Sequence, residues 1–458
     1  MSETPLKYAE TNFGAFVEKL KTLSRIPSIS FEGYPAAELE RSAEAVAALM
    51  RDEGLENVEL LRTEGAPPYV YGDWQHAPGK PTLLLYAHHD VQPVGREELW
   101  QSPPFEPTER QGRLFGRGTA DDKAGVVVHT SAIGSFLKTV GKLPVNVKVL
   151  IEGEEEVGSS HLGGFLSKFR QKLSADAVVL TDTGNFDTGI PTITTSLRGI
   201  VATEIEVRAL KQPVHSGIWG GPVPDPVIAL SKMLATLVDA NGRIAVPGIY
   251  DQVEAPSELE LASVHDLNYT ETQYREQAGI LDGVQLVGGP ESPLLKLFRL
   301  PAISVNAIQA SSRKTPANIV NDVAWAKVSI RTVPRMDGPT TMKHLQDHLR
   351  RAVPWGMQVT FRNEQMGAWW VADTSSPAFE KAGRALAKAF GRPTVFLGQG
   401  GSIPFVGPFT EVLGGVPALL IGVEDPYTYA HSENESLHLG DFKKSILGAV
   451  HLYEIFAE

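Results

Sequence analysis

The sequence predicts an α/β fold: a larger domain in which helices flank a mixed sheet, interrupted by a smaller inserted α+β domain. Three observations carry this expectation. Short β-rich runs alternate with helical stretches over the first 193 residues. From residue 194 to residue 335 the pattern changes to alternating strands beside a strongly apolar helix. After Pro334 the strand-helix alternation returns. The expected domains are therefore 1–193 and 336–458 as two segments of one domain, with 194–335 inserted between them. A chain of 458 residues is also too long for one ordinary core.

The elements follow in order. Phe13, Phe16, Val17, Leu20 and Leu23 recur at helical spacing, and Pro27 stops them. A second helix runs from Ala36 to Met50, with Gly54 as terminator. Strand runs cover Thr82 to Tyr86, Val145 to Ile151 and Ala177 to Leu180, with a helix around Val126 to Leu137. In the inserted part, Val201, Thr203, Ile205 and Val207 alternate as in a strand, and so do Ala326, Val328 and Ile330. Asp225 caps a helix whose first turn holds Pro226. Its apolar face is Val227, Leu230, Met233, Leu234, Leu237 and Val238. Later strand runs lie at Thr394 to Leu397 and Val416 to Val423.

Composition removes several function classes. Apolar residues make up 42% and charged residues 21%, as in ordinary globular chains. The net charge of -12 argues against a nucleic-acid partner. There is no cysteine, so disulfides, thiol nucleophiles and thiolate metal sites are excluded. No secretory signal and no membrane-length apolar run is visible, so a soluble cytoplasmic protein without a membrane partner is expected.

Five metal-type side chains stand out, each near the end of an apolar run: His88, Asp121, Glu156, Asp182 and His431. They lie in A-H-H-D-V-Q-P, G-R-G-T-A-D-D-K, E-G-E-E-E-V-G-S, V-L-T-D-T-G and A-H-S-E-N-E. His88 and Asp90 are two apart, so on extended backbone they share a side, and a carboxylate there suits a metal-binding histidine. Glycines before Asp121 allow a sharp bend. Glu154, Glu155 and Glu156 repel one another unless cations are present. A metal pair explains them: one acid ligates while a neighbour acts as general base. Asp121, Glu156, Asp182 and a hydroxide balance the four charges of two divalent ions. Taken singly, each segment has an ordinary structural explanation; together they point to a two-metal hydrolase. His344 and His348 do not form a zinc-protease motif, because Leu345 stands where that motif needs glutamate. They read as helix-face histidines, as do His76, His129, His161, His265, His438 and His451 as ordinary ones.

These segments, with V-H-S-G, V-S-I-R and G-G-S-I-P between them, resemble the M20 metallopeptidases over almost the whole chain. That group includes carnosinase-type dipeptidases, glutamate carboxypeptidase and aminoacylase. The V-Q-P after His88 and the G-G-S-I-P segment are most similar to the dipeptidase branch. The resemblance implies that His88 and Asp182 bind one metal, Glu156 and His431 the other, and Asp121 both. It implies that Asp90 orients His88 and that Glu155 is the base for a metal-bridging water and later the proton donor to the leaving amine. The inserted domain would be a lid and the homodimer contact. His215 would reach a partner subunit's site and stabilise the oxyanion, and Arg331 would bind the substrate carboxylate. Asn318, Gly401 and Ser402 would complete the pocket. Gln399 stands where dipeptidases often carry a glutamate, which removes a charge from that pocket.

The expected function is hydrolysis of dipeptides or short peptides with a free C-terminal carboxylate. The same centre could instead deacylate N-acyl amino acids. Two divalent ions per subunit are implied; imidazole and carboxylate suit zinc, manganese and cobalt alike, and zinc is preferred by resemblance. A binding protein with a vestigial site would lack a ligand or the base, and none is missing.

Overall fold

A computed structural model describes residues 3–314, 316–401, 403 and 406–458. The chain forms two compact units: residues 1–195, 372–396 and 405–458, and residues 196–371 with 397–404. In chain order, helices α1 to α8 are Pro5–Thr11, Phe13–Ser24, Ala36–Asp52, Lys123–Leu137, Pro226–Ala235, Gly338–Ala352, Pro377–Phe390 and Leu439–Phe456. Strands β1 to β6 are Glu56–Leu61, Tyr69–Trp74, Thr82–His88, Asn146–Glu152, Ala177–Gly184 and Thr192–Leu197. Strands β7 to β13 are Gly199–Arg208, Val214–His215, Ala302–Gln309, Ile319–Val320, Val323–Thr332, Gln358–Gly367 and Ala418–Glu424. The remaining elements, among them the helices Leu162–Leu173 and Glu258–Leu267, are not numbered.

The sheet of the first unit runs β1-β2-β4-β3-β5-β13-β6. Its centre, β4-β3-β5-β13, is parallel, while β1, β2 and β6 join antiparallel. Parallel strands covered on both faces become continuous apolar runs, and L-L-L-Y-A in β3 is buried throughout. Helix α4 explains one cover. Residues 123–136 are all buried, so it is an interior helix with no solvent face. It packs on β3 and against α1, α2, α3 and α8. Helix α1 was not anticipated from the sequence; Thr4 Oγ1 accepts from the Lys7 amide and Pro5 opens the first turn.

The second unit has its own core. An antiparallel sheet, β9-β11-β7-β12, carries α5 and α6. Val201, Ile205, Leu230, Met233, Val328 and Leu345 are among its fully buried residues. The Asp225 cap forms: its Oδ1 accepts from the Val227 amide at 2.7 Å. Helix α5 ends at Ala235, so Leu237 and Val238, assigned above to its apolar face, lie past it. The unit continues beyond residue 335 to residue 371, because β12 pairs with β7. That pairing joins residues about 160 apart, and nothing local in the sequence signals it.

Among the described residues, no helix is long and apolar enough to cross a membrane.

Candidate metal centre

Ligands in parallel sheets gather at the carboxyl ends of the strands. Four adjacent strands do this here. β3 ends on His88, β4 leads into Glu154–Glu156, β5 carries Asp182, and β13 leads into the loop of His431. Asp121 and Asp122 precede α4, where they divide the work. Asp122 Oδ1 accepts from the Gly125 amide at 3.2 Å and caps the helix, while Asp121 turns to the histidines. Asp182 stands within its strand and not at its last residue, since β5 runs on to Gly184.

The five side chains converge in two groups that share Asp121. His88, Asp121 and Asp182 form one; Asp121, Glu156 and His431 form the other, each with its donor atoms within 4.8 Å of one another. His88 Nε2 lies 3.0 Å from Asp121 Oδ1 and 3.8 Å from Asp182 Oδ1. His431 Nε2 lies 2.9 Å from Asp121 Oδ2 and 3.1 Å from Glu156 Oε2. Two ligand atoms about 2.1 Å from one tetrahedral ion lie roughly 3.4 Å apart, so these separations suit metal-binding sets. Two nitrogens and three carboxylates also form a donor set suited to divalent zinc, manganese or cobalt.

Electrostatics supports the same fit. Burial raises the Glu156 carboxyl to about 7 and the Asp182 and Glu155 carboxyls above their ordinary range. Bonds with Asp121 and Glu156 raise the His431 imidazole to about 11. His88 is raised too: burial opposes its charge, but bonds to Asp121, Asp182 and Asp90 outweigh it. Without cations, these acids and imidazoles can persist only by sharing protons. Two divalent ions would supply the missing charge.

Asp90 does more than face His88. His88 Nδ1 donates to the Asp90 main-chain oxygen at 3.1 Å, with Asp90 Oδ1 3.4 Å away. The Asp90 carboxylate meanwhile accepts from the amides of Glu155 (3.2 Å) and Glu156 (3.0 Å). One buried side chain thus ties the end of β3 to the turn after β4. Gln92 holds the candidate ligand beside it: its amide and its Nε2 donate to Glu156 at 3.1 and 2.7 Å. Gln92 lies in the H-H-D-V-Q-P segment, and its partner could not be read from sequence.

The remaining candidates belong to the second unit. His215 faces Ile319 across the β8–β10 pair, and the adjacent Ser216 donates twice to the main-chain oxygen of Asn318. His215 is exposed, and its Nδ1 accepts from the Gly217 amide at 3.1 Å. That bond leaves the ring proton on Nε2, free to donate. Arg331 is half-buried on β11. Arg198, absent from the sequence-based candidates, is buried and close enough to Arg331 to feel its charge. Burial and that repulsion lower its guanidinium to about 10. Arg198 also donates to the Gly400 oxygen, so the glycine segment with Gly401 belongs to the same neighbourhood. Gly401 is exposed; Ser402 lies outside the described residues.

The histidines set aside above have ordinary surroundings. His344 and His348 lie on α6, and His348 Nε2 bonds Thr236. His129 is buried in α4, His438 caps α8, and His161 bonds Glu154.

Comparison with known proteins gives the centre its relatives. Residues 84–454 match Peptidase family M20/M25/M40. The chain is 31% identical over 401 residues to a cysteinylglycine-S-conjugate dipeptidase of Corynebacterium striatum, covering 87% of this chain and 86% of that protein. It is 31% identical over 452 residues to a Cys-Gly metallodipeptidase of Schizosaccharomyces pombe, covering 94% and 93%. Its fold is similar to that of human carnosine dipeptidase 1, with a TM-score of 0.84, 27% identity, and 99% and 98% of the two chains covered. With the family match spanning most of the sequence, the chain belongs to peptidase family M20/M25/M40 and is a metallopeptidase.

Proposed function

We propose that the protein hydrolyses dipeptides that carry a free C-terminal carboxylate, using two divalent ions, preferably zinc. The observation that carries this is the pair of three-residue groups sharing Asp121, with Glu155 held beside them by Asp90. The dipeptide class is supported by relatives named for Cys-Gly and carnosine cleavage.

His88, Asp121 and Asp182 would hold one ion and Asp121, Glu156 and His431 the other. When bound, the ions supply Lewis acidity toward a carbonyl oxygen and make a water easier to deprotonate. The chain's own groups do the rest. Glu155 takes a proton from the attacking water as the carbon–oxygen bond forms. It returns that proton to the leaving nitrogen as the carbon–nitrogen bond breaks, giving a carboxylate and an amine. His215, with its proton on Nε2, donates to the developing oxyanion. Arg331 offers a planar fork to the substrate carboxylate, and Asn318 with the Gly401 segment lines the pocket.

His215 is proposed to act in a second copy of the chain. The edge strand β9 supports a dimer, because Val305 and Ile308 on it are exposed and, among the described residues, it pairs with a strand on one side alone. Sedimentation should give a homodimer; a fully active monomer would refute the role in trans.

The central test is a panel of free, C-amidated and N-acylated dipeptides, assayed before and after chelation and with Glu155→Ala. Free dipeptides should be cleaved best, and both treatments should abolish turnover. Turnover that survives both sinks the mechanism, and a preference for N-acylated substrates replaces the peptidase reading with a deacylase.

A further inference from the structure

Two of the sequence segments hold residues that the mechanism does not use. Arg117 lies in G-R-G-T-A-D-D-K and Glu435 closes A-H-S-E-N-E. Both are buried, Arg117 at 1% exposure and Glu435 at 0%. They form an ion pair with Arg117 Nη1 2.6 Å from Glu435 Oε2. The same carboxylate accepts from three main-chain amides of the loop before α4: Gly118 (3.0 Å), Ala120 (3.0 Å) and Asp121 itself (3.1 Å). Arg117 Nη2 donates to the main-chain oxygens of Pro93 (3.0 Å) and Ser432 (3.1 Å). Space in this loop is tight: a Cβ on Gly118, where φ is +75°, would lie 2.6 Å from Val91 Cγ1.

The pattern is specific. Asp121 is the residue common to both ligand groups, and its own amide is held by Glu435. His431 lies four residues before Glu435, and Ser432, the next residue, is held by Arg117. Every acceptor position of the carboxylate is turned to the protein, so Glu435 does not itself serve as a ligand. Buried ion pairs contribute little net stability, and their best-attested use is to fix register.

We propose that Arg117 and Glu435 are positioning residues that set the spacing between Asp121 and His431 and thereby the affinity for the ions. This rests on the two-metal reading above. Glu435→Gln keeps the shape but has one acceptor oxygen, and its amide group must face amide donors.

The test measures metal affinity by chelator competition and the visible spectrum of the cobalt-substituted protein. Wild type, Glu435→Gln and a control, Glu53→Gln, are compared. Glu53 is as buried and is ion-paired with Lys19 and Lys138. Wild type should bind two ions; if it binds none, the two-metal reading fails and this inference with it. Given wild-type binding, Glu435→Gln should weaken affinity by about 10- to 100-fold, as lost outer contacts do, and shift the cobalt bands. Glu53→Gln should lower melting temperature without either change. Wild-type affinity and bands in Glu435→Gln, or equal losses in Glu53→Gln, overturn the proposal. If Glu435→Gln does not fold, Arg117→Lys decides. Its single ammonium cannot hold Glu435, Pro93 and Ser432 together, so affinity should still fall several-fold, and unchanged affinity overturns the proposal.

Discussion

Glu155 and Glu156 are consecutive, yet the backbone aims them differently. Glu156 faces His431 and is fixed by Gln92. Glu155 has its amide held by Asp90, and its half-buried carboxyl is raised in pKa by desolvation. In the proposed reaction one is a ligand and the other the base. Glu155→Gln should therefore lower kcat by about 10²- to 10⁴-fold, the usual contribution of a positioned acid-base group, while metal content stays at the wild-type level. Glu156→Gln should lose metal as well as activity. Equal metal loss in both variants would remove the distinction. Arg331 makes a different prediction. A guanidinium–carboxylate bond contributes about 1.5–3 kcal/mol, so Arg331→Met should raise KM for free dipeptides roughly 10- to 150-fold. C-amidated substrates should be almost unaffected, and a uniform effect on both would count against carboxylate binding.

At the scale of elements, the parallel strands were the legible part. Strands buried on both faces must be apolar throughout, so L-L-L-Y and A-V-V-L announce themselves, and polar residues where such runs stop are candidates for a site. That is why His88, Glu156, Asp182 and His431 could be picked out before their contacts were known, while Asp121 stood out by the glycine-rich turn before α4. Strand β12 was not read from the sequence, and its residues were counted with the first domain, because its pairing with β7 is wholly non-local. Arg117, Glu435 and Gln92 stayed hidden because their partners are main-chain amides or side chains far along the chain. Helix α4 carries a prediction of its own. His129 sits inside it, its Nε2 donating to the Tyr86 oxygen at 3.1 Å. Burial lowers the imidazole to about 4 from an ordinary 6.5. A depressed folded-state value means stability is fully present above pH 6.5 and is lost as pH falls through 4. The shift is worth roughly 3 kcal/mol at most. Unfolding curves between pH 7 and 4 should be steeper in pH for wild type than for His129→Leu, whatever their absolute levels. Parallel curves would show that His129 does not titrate this way.

At the scale of the molecule, the two cores are built from different parts of the chain, and every proposed metal ligand belongs to one of them. An ion that binds only the folded form stabilises it by about 4 kcal/mol when free ion exceeds the dissociation constant a thousandfold. In the first unit that stabilisation falls on the ends of β3, β4, β5 and β13 and on the loop before α4, which otherwise must accommodate crowded buried acids. Chelation should therefore loosen this unit selectively. Hydrogen exchange followed by mass spectrometry is the suitable measurement, because it reports segment by segment. After chelation, amides of β3, α4 and β5 should exchange faster. Those of β7 and β11, whose core contains Val201, Ile205, Val328 and Ile330, should keep their protection. Re-adding zinc should restore the slow exchange of the first set without altering the second. Equal loss of protection in β11 would show that the two cores unfold together, and no loss in β3 would show that the centre is not held by metal.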